Sequence, residues 1–154
     1  MKIFLGYDHR GIEAANHLAE RLKAREHDVN MHGPAEGEFC DYPEIASAVC
    51  TRIVSGQGDV AVLIDATGVG MAIAANKVTG IRAASVHDEI TAELSRTHNN
   101  ANAICLSADL LGHRLMEKIV DLFLQTTFEG GRHERRVKKI EAIERGEDPS
   151  TITS

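Results

Sequence analysis

Short apolar, β-branched runs alternate with stretches of helical periodicity along most of this chain. Lys2–Tyr7 (KIFLGY) reads as a first strand. Ile12, Ala15, Leu18, Ala19 and Leu22 then recur at three- and four-residue spacing, which lays one apolar stripe along an amphipathic helix. Asp28–His32 predicts a second strand, and a Gly/Pro/acidic loop runs from Gly33 to Asp41. Pro43 suits the first turn of a helix whose inner stripe is Ile45, Val49, Cys50 and Ile53, with Gly56 and Gly58 ending it. Asp59–Asp65 (DVAVLID) is apolar almost throughout, the pattern of a central parallel strand covered on both faces. The glycine loop Thr67–Gly70 follows and leads into a short helical segment through Lys77. Strands four and five are expected at Ile81–Val86 and Ala103–Leu106, with helices at Asp88–Arg96 and Leu111–Leu124. A charged helix, Arg132–Arg145, follows the Gly130–Gly131 break.

This alternation predicts an α/β fold: a doubly wound, Rossmann-like, five-stranded parallel sheet with helices on both faces and a C-terminal helical extension. At 154 residues the chain suits one domain, expected over residues 1–146, and residues 147–154 are expected to form a flexible tail. The three cysteines (Cys40, Cys50, Cys105) have no CxxC spacing, which argues against a disulfide framework or a zinc ribbon. No apolar run approaches a membrane span and the start MKIFLGYDHRG is no signal peptide, so the cytoplasm is the expected location and a membrane partner is not. With 17 basic against 23 acidic residues and only 4% aromatics, nucleic acid is not an expected partner either.

Ligands of such sheets sit beyond the carboxyl ends of the strands. That edge gathers Asp8, His9 and Arg10 after strand one, Asp65 to Gly70 after strand three, Ser85 to Asp88 after strand four and Ser107 after strand five. The N–H groups of Thr67-Gly68-Val69-Gly70 suit an oxyanion or phosphate, although a tight strand-to-helix turn with nothing bound would use the same residues. Asp8 alone reads as a helix cap and His9 as a surface residue, but both share the edge with the glycine loop. Arg96, His98, Asn99, Asn100 and Asn102 crowd the entry to strand five, where asparagines commonly satisfy turn backbone and a histidine can serve as acid or base. Arg132 and Arg136 of GGRHERR lie one helical turn apart, which fits a solvated helix face or a grip on a phosphate.

Together and in this order, GYDHRG (6–11), DYP (41–43), TGVGMAIAANKVTGIRAA (67–84), HDEITAELSRTHNNAN (87–102) and FEGGRHERRVKKI (128–140) resemble the ribose-5-phosphate isomerase B / galactose-6-phosphate isomerase family. The resemblance covers about residues 1–145. It implies a homodimer or homotetramer with active sites between subunits, a sugar-phosphate substrate, and neither metal nor organic cofactor. It also implies that His9, Arg132 and Arg136 hold the phosphate, the arginines coming from the partner subunit. His98, near Tyr42, would help open the sugar ring. Thr67 and the N–H groups around Gly68–Gly70 would stabilise an enediolate, with Asp8 and Asn99 orienting hydroxyls and Arg10 beside them. Two departures stand out: Asp65 and Ala66 replace the Cys-Gly of many members, in which that Cys is the base, and Asp109 stands where many carry Arg.

The leading expectation is thus an aldose–ketose isomerase with Asp65 at the position of the usual base. An alternative is a non-catalytic or half-site subunit resembling the A subunit of galactose-6-phosphate isomerase, completed by a paralogous partner. A phospho-acceptor receiver domain shares the five strands and the Asp ending strand three. It also needs a second acid after strand one and a Lys after strand five, where this chain has His9 and Ser107-Ala108.

Overall fold

The computed structural model describes residues 1–153. Five parallel strands run in the order β2-β1-β3-β5-β4, formed by Lys2–Tyr7 (β1), Asp28–His32 (β2), Val60–Asp65 (β3), Ala83–Ser85 (β4) and Ala103–Ser107 (β5). The helices are Ile12–Ala24 (α1), Tyr42–Val54 (α2), Val69–Ala75 (α3), Glu89–Thr97 (α4), His113–Gln125 (α5) and Arg132–Glu144 (α6). The α/β doubly wound architecture with a C-terminal helix is therefore present. No helix among the described residues is long and apolar enough to cross a membrane.

The sheet splits the core in two. Ile3, Leu5, Val62, Ile64, Ile104 and Leu106 face Leu18, Leu22, Met116, Ile119 and Phe123 of α1 and α5. Alternate residues Phe4, Ala61, Leu63, Ala103 and Cys105 face Ile45, Val49, Met71 and Ala75 of α2 and α3. β3 is buried at every position, which is why its sequence shows an unbroken apolar run rather than alternation.

Element ends moved where side chains took over backbone bonds. β4 starts two residues after Ile81, where Asn102 Oδ1 accepts the Arg82 N–H at 2.8 Å and Asn76 Oδ1 accepts the Ala83 N–H at 2.9 Å, and it ends at Ser85 while the Val86 N–H still donates to the Cys105 carbonyl at 3.1 Å. Gly112 is the N-cap of α5, so that helix starts two residues after Leu111. The tail expected to fray carries a 3-10 turn, Pro149–Thr151, whose entry is capped by Asp148 through the Ser150 N–H at 2.8 Å.

Leu63 is fully buried on the central strand between α2 and α3. Leu63→Ala is expected to lower the unfolding free energy by about 2–5 kcal/mol, read from urea melts with an unchanged m-value.

Candidate active site

From β1 the chain crosses to one side of the sheet, and from β3 to the other. The carboxyl ends of β1 and β3 therefore flank the cleft where doubly wound sheets bind ligands. Strand register pairs Gly6 with Leu63 and Tyr7 with Ile64, and the ladder continues as the Asp8 N–H donates to the Ile64 carbonyl at 3.1 Å. Asp8 thus follows Phe4 and Gly6 onto the same face as Leu63 and Asp65. The two carboxylates are neighbours, 5% and 4% exposed.

Asp65 is fully engaged by its own loop. Its Oδ1 accepts the N–H of Thr67 at 3.0 Å and that of Gly68, and its Oδ2 accepts the N–H of Met71 at 2.9 Å. Gly68 is the N-cap of α3 and has no side chain to cap with, so Asp65 does this from three residues upstream. Gly68 holds φ at 79°, and a Cβ there would also press to 3.0 Å from the Cys105 carbonyl oxygen. At Gly70 a Cβ would come within 2.8 Å of Tyr42 Cζ and 3.0 Å of Asp65 Oδ2, so the bare glycine is what lets the Tyr42 ring lie across the loop. The Val69 N–H donates to Thr67 Oγ1 at 3.2 Å, and His87 Nε2 lies 3.1 Å from the Thr67 carbonyl oxygen. Of the N–H groups from Thr67 to Gly70, that of Gly70 has no partner among the described residues. The anticipated anion loop exists, but two of its four N–H groups, those of Thr67 and Gly68, point at the protein's own carboxylate.

Asp8 is held differently. One oxygen, Oδ1, accepts the N–H groups of Arg10 at 2.8 Å and Gly11 at 3.2 Å. Burial pushes its carboxyl above the usual range and the Asp65 charge adds to this, opposed by those two N–H groups and by His9. His9 places Nδ1 3.1 Å from the Cys40 carbonyl, which can only accept, and its ring lies 4.0 Å from that of Phe39. Arg10 pairs with Asp109 at 2.7 Å. A cleft of about 480 Å³ opens beside His9, Arg10, Glu13 and Asn16. Ser107 serves the backbone, donating to the Ala66 carbonyl at 2.6 Å and accepting the Leu110 N–H at 3.0 Å.

His98, Asn99, Arg132 and Arg136 are elsewhere. α4 and α5 run back from the carboxyl ends of β4 and β5, so the α4 C-cap His98 and the start of α6 lie at the amino edge of the sheet. The Glu129 N–H donates to the Thr97 carbonyl there at 3.1 Å, joining the two segments. Tyr42, at the carboxyl edge, is thus not beside His98 of the same chain. His98 stacks on His133 with ring centroids 4.0 Å apart and planes 5° apart. His133, which sequence reasoning passed over between Arg132 and Glu134, is 2% exposed, and burial pushes its imidazole below the usual range, with His98 and Arg132 adding to this. His98, Glu129 and His133 place one ligand atom each within 4.8 Å of one another, the grouping among the described residues closest to a metal set. Arg132 Nε already donates to His133 Nε2 at 3.3 Å, and the adjacent Arg136 makes this a surrounding suited to anions rather than cations. The asparagines divide: Asn102 ties down Arg82 and Gly80, while the Asn99 side chain is exposed.

The Ribose/Galactose Isomerase family profile matches residues 3–140. The chain belongs to this family. It is 41% identical to the ribose-5-phosphate isomerase B of Escherichia coli over 93% of this chain and 96% of that one. The solved ribose-5-phosphate isomerase B of Clostridium thermocellum superposes with a TM-score of 0.93 at 42% identity, covering 95% of this chain and 99% of that chain. The enzyme of Mycoplasma genitalium, solved with ribulose 5-phosphate bound, gives 0.89 at 42% identity over 94% and 96%. Like these members of the family, the chain is a five-stranded parallel α/β protein over nearly its whole length.

His133 makes the stability of this family member pH-dependent. The unfolded chain takes up the His133 proton near the ordinary value of 6.5, the folded chain only at lower pH. The contribution is therefore complete above that value and is lost as pH falls toward the folded one. Burial lowers His27 in the same sense, so the comparison with a variant isolates His133. Melting temperature is expected to fall between about pH 7 and pH 5, and more steeply in wild type than in His133→Gln.

Proposed function

We propose that the chain is an aldose–ketose isomerase of a phosphorylated sugar, interconverting ribose 5-phosphate and ribulose 5-phosphate through an enediolate. The observation that carries this reading is the carboxylate pair Asp8 and Asp65 beside the Thr67–Gly70 loop at the β1/β3 cleft, in a chain 41% and 43% identical to ribose-5-phosphate isomerases B. Moving a proton between neighbouring carbons needs a base at the carbon and donors for the negative charge that develops on oxygen. One carboxylate of the pair supplies the first, and Thr67 with the Gly70 N–H the second. Gly68 shapes the loop, Tyr42 closes over it, and Arg10 stands at the cleft.

The remaining groups come from a second copy. His98, Asn99, Arg132 and Arg136 lie at the opposite edge of the sheet from Asp8, His9 and Asp65, too far to serve one bound sugar phosphate within one chain. A homodimer that sets the carboxyl edge of one subunit against the amino edge of the other assembles two complete sites, and a homotetramer repeats them. His9 with Arg132 and Arg136 of the other copy then holds the phosphate, His98 of that copy opens the ring, and Asn99 orients a hydroxyl.

A half-site subunit that completes a paralogous partner is the second reading. It is favoured by Asp65 occupying donors that a substrate oxyanion would need. Turnover of a panel of sugar phosphates by the pure protein separates the two: isomerisation of ribose 5-phosphate supports the enzyme, and inactivity on every member supports the half-site subunit.

The shared site is tested by complementation. His9→Ala and His98→Ala are each expected to be inactive, and an equimolar refolded mixture to recover about a quarter of wild-type activity, because half the dimers carry one intact site. A monomer in light scattering, or no recovery on mixing, speaks against it. Arg132→Ala is expected to weaken sugar-phosphate binding by about 2–4 kcal/mol in calorimetry, the cost of removing the partner of a desolvated charge.

A further inference from the structure

We infer that Asp8, not Asp65, is the base that carries the proton between the two sugar carbons. This rests on the isomerase reading above and names the group that performs its central step. The argument begins with lone pairs. The three N–H donors on Asp65 come from backbone that is fixed in place by β3 and α3. Met71 and Gly68 are buried, so releasing either N–H to free an acceptor would leave an unpartnered donor away from water. Asp65 is committed to holding its loop.

Asp8 has one oxygen committed and one free. Its two N–H bonds both fall on Oδ1. Oδ2 makes no hydrogen bond among the described residues, yet it is not among the sealed, unpartnered atoms, of which Arg21 Nε is the one found. An open carboxylate oxygen in a largely buried residue, at the carboxyl end of β1 in the ligand cleft, is what proton abstraction from a bound carbon requires. The charged and titratable groups that face it are Asp65, His9 and Cys40. Burial and the neighbouring Asp65 charge raise its affinity for a proton, which favours a carboxylate asked to take one from carbon. Two adjacent carboxylates with unlike surroundings thus divide the work: one holds structure, the other exchanges the proton.

From aldose to ketose, Asp8 Oδ2 takes the proton from C2. The C2–H electron pair becomes the C1–C2 double bond, and the carbonyl pair moves onto O1 as the enediolate. The O2 hydroxyl proton passes to O1, the C2 carbonyl forms, and Asp8 returns its proton to C1. Nothing is oxidised or reduced overall, and the carboxylate is regenerated.

The experiment measures kcat and solvent-deuterium incorporation at the sugar's second carbon in wild type, Asp8→Asn and Asp65→Asn, with sugar-phosphate affinity followed by calorimetry. Asp8→Asn is expected to bind but to lose about 10²–10⁴-fold in kcat and in exchange. Asp65→Asn, which keeps an oxygen for the loop, is expected to exchange within about tenfold of wild type. Its acid limb of kcat against pH should move to lower pH, because Asp8 loses a neighbouring negative charge. Exchange undiminished in Asp8→Asn, or abolished in Asp65→Asn that still binds, overturns the assignment. Should Asp8→Asn not fold, Asp8→Glu carries the test: measurable exchange with a displaced acid limb supports the base, and a limb identical to wild type overturns it. Wild type that neither exchanges nor isomerises any sugar phosphate removes the isomerase reading itself, and this base with it.

Discussion

The geometry of the cleft depends on one carboxylate accepting three backbone N–H groups. Asp65 is placed by the fully buried central strand of the sheet, and its bonds to Thr67, Gly68 and Met71 fix where the chain leaves β3 and how α3 begins. Hydrogen bonds to a charged acceptor contribute about 1.5–3 kcal/mol each. Once that turn is fixed, Gly70 faces Tyr42 at the start of α2, and the ring of α2 is drawn over the loop of α3. An apolar residue at position 65 would strand these donors. A thiol there would accept from them only weakly and leave them open to a bound oxyanion. The difference between Asp65 and a Cys at this position is therefore a difference in who owns the loop's donors.

Much of the fold was legible because its signals are local. β1 and β2 begin and end where apolar pattern and turn residues put them, and the unbroken run of β3 marked the sheet centre. What moved was decided by tertiary partners. β4 lost its amino end to Asn76 and Asn102, whose side chains bond backbone seven and twenty residues away, and no short window of sequence shows that.

The site was legible in membership more than in arrangement. Residues at strand ends could be assigned to an edge by counting elements, which is how Asp8, His9 and Asp65 were found together. The same counting puts His98 and Arg132 at the other edge, whereas the resemblance implies one constellation that spans two chains. His133 carries no such signal, because a histidine within a charged run reads as solvated surface. Its burial under His98 arises from the meeting of α4 and α6, 35 positions apart in the sequence.

Charge is distributed between the two edges in a way that follows from this division. At the carboxyl edge, two buried carboxylates would repel a phosphate, and the nearest guanidinium, Arg10, is paired with Asp109. That pair is exposed, 56% and 38% on its side chains, and such pairs hold by no more than about 1 kcal/mol, so a dianion entering the cleft can draw Arg10 away at small cost. At the amino edge, Arg132 and Arg136 have no carboxylate partner within ion-pair distance among the described residues, and His133, kept neutral by burial, props His98 without adding charge. A sugar phosphate between two such edges meets cations at one end and a proton acceptor at the other. In the proposed shared site an interface brings these together, and binding polarity and assembly would then be set by the same strand order.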